Sequence, residues 1–342
     1  MSSEKKTQDS TILDIAEALK LSPATISRAL NNHPYVKEKT KDKVLAMAAE
    51  LGYRRNLMAS SLRSNKTNTI GLIVPRISMF FHAEAITAIQ NHLHEHGYNL
   101  IICQSNDSVA MEKQLAGILY SSRVDAVIAA STLYTTDFNH FDQLLENGTP
   151  VIFYDRVPMS NTKATVIKGD DSRGGYLATS HLIETGCKRI AHISGPLTCN
   201  LYRDRSSGFF KAMQQYNIPV NEDWIFYQEL TYENARQAMR KIFESSEVPD
   251  AIFTDNDTSA IAALEFAKEV GISVPDELKI VGYSNDPRTS IMTPSITSIE
   301  QFPGLVGKRI VEVLMDLLKD NTSDVKTQSI ITPVQLIRRM ST

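Results

Sequence analysis

Cysteine is scarce: Cys103, Cys187 and Cys199 stand singly in 342 residues. They have neither the paired spacing of a zinc site nor the density of a disulfide framework. They read as small buried hydrophobes in a reducing cytosol. Long apolar runs are missing as well; none approaches the ~20 residues of a membrane span. The polar opening Met1-Ser2-Ser3-Glu4-Lys5-Lys6 carries no secretory hydrophobic stretch. A cytoplasmic location with no membrane partner is the expectation. Catalytic signatures are equally absent: no phosphate loop, no Gly-x-Ser-x-Gly elbow and no His-Glu-x-x-His. His92 and His96 share a helical face that His94 does not, and a solvated helix surface explains them better than a metal. No catalytic residue, metal or cofactor is assigned.

The net charge of −3 would by itself argue against nucleic acid. Its distribution argues the other way. Residues 1–66 hold 12 Lys and Arg against 7 Asp and Glu, an excess of five positive charges, and the remainder is negative by eight. A basic head on an acidic body suits docking to phosphates at one end.

Within that head, Thr11 to Asn31 reads as two short helices around a tight turn. Thr11 is placed to cap the first, with Asp14 completing a variant capping box. Ile12, Ile15, Ala16 and Leu19 form its apolar face. Ser22 caps the second helix and Pro23 sits at its first position, where the missing N–H costs nothing. Ile26, Ala29 and Leu30 make the second stripe. A third helix, Lys37 to Leu51, buries Val44, Leu45, Ala48 and Leu51 and stops at Gly52. Three such helices form a helix-turn-helix domain whose second helix enters the DNA major groove.

The string Thr11–Asn31, the Leu51-Gly52-Tyr53 end and the segment Asn56-Leu57-Met58-Ala59-Ser60-Ser61-Leu62-Arg63 together resemble the DNA-binding head of the LacI/GalR (lac repressor-like) family. The resemblance implies a homodimer on a near-palindromic double-stranded operator. It assigns DNA contacts to Thr11, Ser22, Pro23, Ala24, Thr25, Ser27, Arg28, Asn31, Tyr35 and Tyr53. It also implies a hinge helix within residues 56–68, where Asn56, Ala59 and Arg63 join the contact set and Leu62 wedges into the minor groove. Within this head the chain departs from the family pattern in three places. Lys20 stands at the usual turn glycine, where a positive φ is expected. Arg55 replaces the usual proline. Pro23 and Ala24 hold the positions that most often read bases, and neither can form a bidentate hydrogen bond.

From Thr69 onward, apolar runs alternate with amphipathic helices. Strands are expected at 70–75, 98–105, 125–131, 150–155, 189–195, 224–229, 251–255 and 278–283, with helices between them, and the tail adds a crossing strand at 296–300, a helix at 304–318 and a strand at 329–332. Continuous apolar strands imply parallel sheets covered on both faces. The expected fold is therefore an all-α head, residues 1–55, followed by a two-lobed α/β body of two doubly wound parallel sheets. By resemblance this is a periplasmic-binding-protein-like body with three crossings. Lobe one spans about 69–165 plus 298–328, and lobe two about 166–297 plus 329–342.

Ligands of open α/β sheets sit beyond the carboxyl ends of strands. The run Arg205-Ser206-Ser207-Gly208-Phe209 matches the family's Arg-x-x-Gly-Phe motif, so the resemblance makes Arg205 the main ligand contact. Asn256 is expected to face the ligand and Asp257 to cap the next helix. Ser284 stands where most members have aspartate, a weaker partner. Phe81, His82, Ser131 and Tyr202 complete the expected effector site, with Asp155 and Asp171 at its edges. An aromatic ring beside Arg, Asn and Ser suits a carbohydrate, with a nucleoside as the alternative. The expected function is a DNA-binding transcriptional regulator, a repressor, controlled by a small molecule. An enzyme on the same fold lacks a catalytic motif here, and a free solute-binding protein would carry an export signal and no basic head.

Overall fold

A computed structural model describes residues 10–53, 66–159, 162–319 and 327–342. Two compact units divide at Thr67/Asn68.

The first unit contains helices α1 (Ile12–Leu19), α2 (Pro23–Leu30) and α3 (Glu38–Glu50). The Asp14 carboxylate accepts both the backbone N–H and the hydroxyl of Thr11, at 2.6 and 2.8 Å, which fixes the start of α1. Lys20 ends that helix in the left-handed region at φ 53°, as its position in the turn demands. Ser22 Oγ accepts the Thr25 N–H at 3.2 Å and starts α2 at Pro23. Lys37 and Leu51, expected inside the third helix, are its caps, and Gly52 at φ +64° stops it. Ile15, Ile26, Ala29 and Val44 fill the core, with Leu19, Leu30, Leu51 and Tyr53 packed around them. Leu45 does not join: it is 53% exposed, because one position past Val44 rotates it about 100° off the buried stripe.

The second unit carries two six-stranded sheets. Lobe one is ordered β11-β5-β4-β3-β1-β2 and lobe two β12-β10-β9-β8-β6-β7. In lobe one these are β1 (Thr69–Val74), β2 (Asn99–Gln104), β3 (Ala126–Ala129), β4 (Val151–Tyr154), β5 (Thr165–Gly169) and β11 (Ser329–Thr332). In lobe two they are β6 (Ile190–Ser194), β7 (Ile225–Tyr227), β8 (Ala251–Thr254), β9 (Lys279–Tyr283), β10 (Thr297–Glu300) and β12 (Gln335–Ile337). The pairing is parallel throughout except β10 with β12. Helices cover both faces. Those used below are α4 (Phe80–Glu95), α5 (Val109–Ser121), α7 (Asp171–Glu184), α8 (Asn200–Gln215), α10 (Asp257–Glu269) and α12 (Pro303–Lys319), with the short α6 (Asp142–Glu146), α9 (Tyr232–Phe243) and α11 (Pro287–Ile291) between them.

The lobe boundaries differ from expectation. β5 and β11 belong to lobe one, although the sequence pattern places residues 329–342 in lobe two and predicts no strand at Thr165–Gly169. Its Thr-Val-Ile-Lys-Gly run is only partly buried, so it lacks the continuous apolar signal of a central strand. Thr297–Glu300, assigned mostly to lobe one, pairs with β9 and β12 in lobe two. The three crossings therefore fall just after Gly169, at Gln301-Phe302 and at Pro333-Val334. α12 returns to lobe one, burying Val306, Ile310 and Leu314 against Ile70, Leu72 and Ile89. The strand expected at 224–229 is shorter, because Glu222–Trp224 form a 3₁₀ turn that buries Trp224.

Candidate functional site: a helix surface on the head and a cleft in the body

On the head, Ser22, Pro23, Ala24 and Arg28 are exposed on α2, and Thr25 and Ser27 are half-buried. The hydroxyls of Ser22 and Thr25 lie 2.9 Å apart. Asn31 turns its amide onto Ser27 O at 2.7 Å. Tyr35 is 90% exposed and stacks on His33, with ring centroids 5.3 Å apart. Thr11 is exposed but its hydroxyl is held by Asp14, and Tyr53 packs against the head core. Asn56, Ala59, Leu62 and Arg63 lie outside the described residues.

In the body, a cleft of about 450 Å³ opens between the lobes. Lobe one contributes Arg76, Phe81, Asp107 and Arg156, and lobe two contributes Tyr202, Glu229, Asn256, Asp257, Ser284 and Asp286. Arg76, Asp107 and Arg156 follow the ends of β1, β2 and β4. Asp107 holds Arg156 at 2.5 Å and Arg76 at 3.1 Å. Arg76 also reaches across the cleft to Glu229 at 2.9 Å, so one guanidinium joins the two lobes. Other bonds hold the lobes together away from the charges. Thr198 donates to Leu133 O at 3.0 Å, and Asn200 accepts from Val157 N at 2.8 Å while donating to Asp155 O at 3.0 Å.

Several expected ligand residues sit elsewhere. Arg205 is 4% exposed and does not line this cleft. Its Nε bonds Asp171 at 2.8 Å, its Nη1 bonds Asp255 O at 2.6 Å, and its guanidinium lies 3.6 Å from the centre of the Tyr283 ring. Tyr283 donates to the same Asp171 oxygen at 3.0 Å. A buried guanidinium needs such a counter-ion, and Asp171 supplies it from the facing helix. Tyr202, which does line the cleft, stands beside Arg205, its ring centre 5.7 Å from the guanidinium. The rest of the Arg-x-x-Gly-Phe motif is packing. A Cβ on Gly208 would fall 2.1 Å from Ser172 O, so α7 and α8 touch backbone to backbone there. Phe209 is fully buried, stacked on His192 at 4.6 Å.

Asn256 lines the cleft as expected, and the capping role expected of Asp257 also falls to it. Asn256 is the cap of α10: its Oδ1 accepts Ser259 N at 2.8 Å and its Nδ2 donates to Leu230 O at 3.0 Å. Asp257 is one residue too far along to cap. It is buried at the floor of the cleft, accepting Ser298 Oγ and Asp286 N, each at 2.7 Å. Burial pushes its carboxyl up to about 7. Ser284 lines the cleft at φ 105° and donates to Gln301 at 2.9 Å. Phe81 lines it too, but its neighbour His82 is a core residue. His82 is buried, 3.1 Å from Tyr154 Oη, and driven down to about 3 by burial and then by Arg156. Ser131 donates to Arg156 O and lines a separate cavity of about 250 Å³. Asp155 adjoins that network rather than the cleft lining, its carboxyl raised to about 6 mainly by burial.

The model for "Bacterial regulatory proteins, lacI family" matches residues 11–56, and that for "Periplasmic binding protein-like domain" matches residues 179–342. The HTH-type transcriptional repressor PurR of Aliivibrio salmonicida is 32% identical over 91% of this chain and 92% of its own length. The chain belongs to the LacI family.

Solved structures of family members share the architecture. A lac repressor dimer bound to operator and the anti-inducer ONPF superimposes with a TM-score of 0.86 at 25% identity, covering 98% of this chain and 99% of that one. A complex of the regulator CelR with cellobiose gives 0.74 at 26% identity, covering 97% and 100%. Family members are DNA-binding regulators modulated by small effectors. Among the described residues no helix is long and apolar enough to cross a membrane, and no group of His, Cys, Asp and Glu is arranged to hold a metal.

The charged cleft residues that sequence reasoning missed are Arg76, Asp107, Arg156, Glu229, Glu233, Asp286 and Arg288. The first three obey the strand-end rule and were within its reach. No comparable signal marked Glu229, which follows a short edge strand.

Proposed function

We propose that the chain is a cytoplasmic repressor that binds a near-palindromic operator as a homodimer and is controlled by a neutral carbohydrate held between its lobes. It is not proposed to be an enzyme. The basic head and the exposed face of α2 support DNA docking, with Pro23, Ala24, Thr25, Ser27 and Arg28 toward the bases and Tyr35 beside them. Asn56, Ala59, Leu62 and Arg63 supply the hinge contacts.

The observation that carries the effector reading is the lobe-spanning Arg76–Glu229 pair in the wall of the cleft. A ligand that competes for either partner has a different affinity for open and closed lobes, which is what coupling requires. The proposed contacts are Arg76, Phe81, Arg156, Tyr202, Asp257 and Ser284. Phe81 and Tyr202 offer apolar faces for a sugar ring. The carboxylates Asp107, Glu229, Glu233, Asp257 and Asp286 outnumber Arg76, Arg156 and Arg288 around the cleft. That balance favours neutral sugars over their phosphates. The cellobiose complex of CelR is in keeping with this choice.

Two measurements test the reading. Selection from a random duplex library, followed by anisotropy titration, should yield a two-fold-symmetric site. A thermal-shift panel of sugars, sugar phosphates and nucleobases should raise the melting temperature with a neutral sugar. Stabilisation by phosphates or nucleobases alone would overturn the carbohydrate assignment, and a selected site without symmetry would overturn the dimer.

A further inference from the structure

We infer that the first turn of α2 selects thymine through its 5-methyl group. This rests on the operator-binding reading above and adds the base that this turn prefers. Pro23 and Ala24 are both exposed and carry no side-chain donor or acceptor. Thr25 is the first residue of α2 with a polar side chain. Its hydroxyl lies 2.9 Å from Ser22 Oγ, which also accepts the Thr25 N–H at 3.2 Å. The two hydroxyls of this turn therefore engage each other at the cap. The exposed side chains between that pair, the Pro23 ring and the Ala24 methyl, offer a base edge apolar surface alone.

In the major groove every base pair displays a distinct pattern of donors and acceptors, and thymine alone among the four bases adds a methyl group. An apolar surface cannot satisfy the donor of cytosine or adenine or the acceptors of guanine, and it desolvates them at a cost. Against the thymine methyl it buries apolar area on both sides. Polar readout then starts one turn later. Ala24 and Arg28 are four residues apart and share a helix face, so Arg28, exposed there, is the fork for a neighbouring guanine.

The test leaves the protein intact. The full-length chain first selects its preferred duplex from a random library. Each thymine of that duplex is then replaced by deoxyuridine, which removes the methyl and nothing else. At one symmetry-related pair of positions, the replacement should weaken binding about fourfold per half-site and roughly fifteenfold for both, the value of one buried methyl carbon each. Replacement at other thymines should change binding by less than roughly twofold. Ala24→Gly, with its helix content checked by circular dichroism, should reduce the thymine-over-deoxyuridine ratio at that pair. A selected operator indifferent to every deoxyuridine replacement, or a ratio unchanged in Ala24→Gly, overturns the methyl reading while operator binding stands. A chain that selects no duplex fails at operator binding itself.

Discussion

Adding one methyl group at Gly208 should destabilise the body, although in an isolated helix the same change would stabilise it. Gly208 lies inside α8, and replacing glycine by alanine in a helix interior is worth about 1 kcal/mol in favour of the helix. Here the new Cβ would fall 2.1 Å from Ser172 O and 2.6 Å from Tyr176 N, both backbone atoms of α7. Reaching an ordinary contact requires the helices to part by roughly 1 Å, and overpacking of this kind costs ~1–3 kcal/mol. The same displacement stretches the 2.8 Å bond between Arg205 and Asp171, which is buried on both sides. Breaking a buried pair costs up to ~3–5 kcal/mol, so a partial loss adds to the packing cost. The expected net effect of Gly208→Ala is a loss of about 2–4 kcal/mol. Urea titration followed by tryptophan fluorescence and far-UV circular dichroism measures it. Gly117→Ala on α5 is the control, since a Cβ there meets nothing within 4 Å. It should gain about 0.5–1 kcal/mol. Equal stabilisation by both variants would refute the claim that the motif glycine exists for helix contact.

Other perturbations follow from the same geometry. Lys20→Gly should stabilise the head by about 0.5–1 kcal/mol, because it relieves a left-handed residue with a side chain; slower amide exchange in α1 is the readout. Glu229→Gln removes the lobe-spanning partner of Arg76. The two side chains are 45% and 36% exposed, so stability should fall by no more than ~1 kcal/mol, while X-ray scattering should report more open lobes. Asp257→Asn tests proton linkage. Its folded carboxyl is raised to about 7 from 3.8, so the folded chain retains a proton that the unfolded chain has lost. That contribution is complete below the unfolded value and disappears as pH rises to about 7. Relative to the parent, the asparagine variant should therefore gain about 1.4 kcal/mol per pH unit between pH 5 and 7, measured by urea midpoints. Leu62→Ala should weaken operator binding more than binding to random duplex; equal losses would remove the minor-groove wedge.

The sheets were legible where strands are buried on both faces. Ile70–Val74, Ala126–Ala129 and Ala251–Phe253 are wholly buried, and each appears in the sequence as an uninterrupted apolar run. β5 and β12 were harder, because edge and near-edge strands bury only part of their length and carry polar residues; β11 was legible as a strand, but its pairing with β5 in lobe one was not. The lobe crossings depend on those strands, so the boundaries shifted with them. The head was readable almost residue by residue, since capping boxes and a proline at the first helical position act locally. The cleft was readable only in part. A motif shows that Arg205 and Gly208 belong together, but whether a guanidinium points at a ligand or at Asp171 depends on a residue 34 positions away on another helix. Asn256 and Asp257 are chemically near-equivalent in sequence, and one residue of helix register decides which of them caps.

Reciprocity between the two sites tests the central claim most directly. The selected operator is titrated with and without saturating sugar, and the sugar is titrated with and without saturating operator. Both affinities should change by the same factor, in the range of about 5–150-fold. A sugar that binds the cleft tightly while operator affinity stays the same would contradict the account.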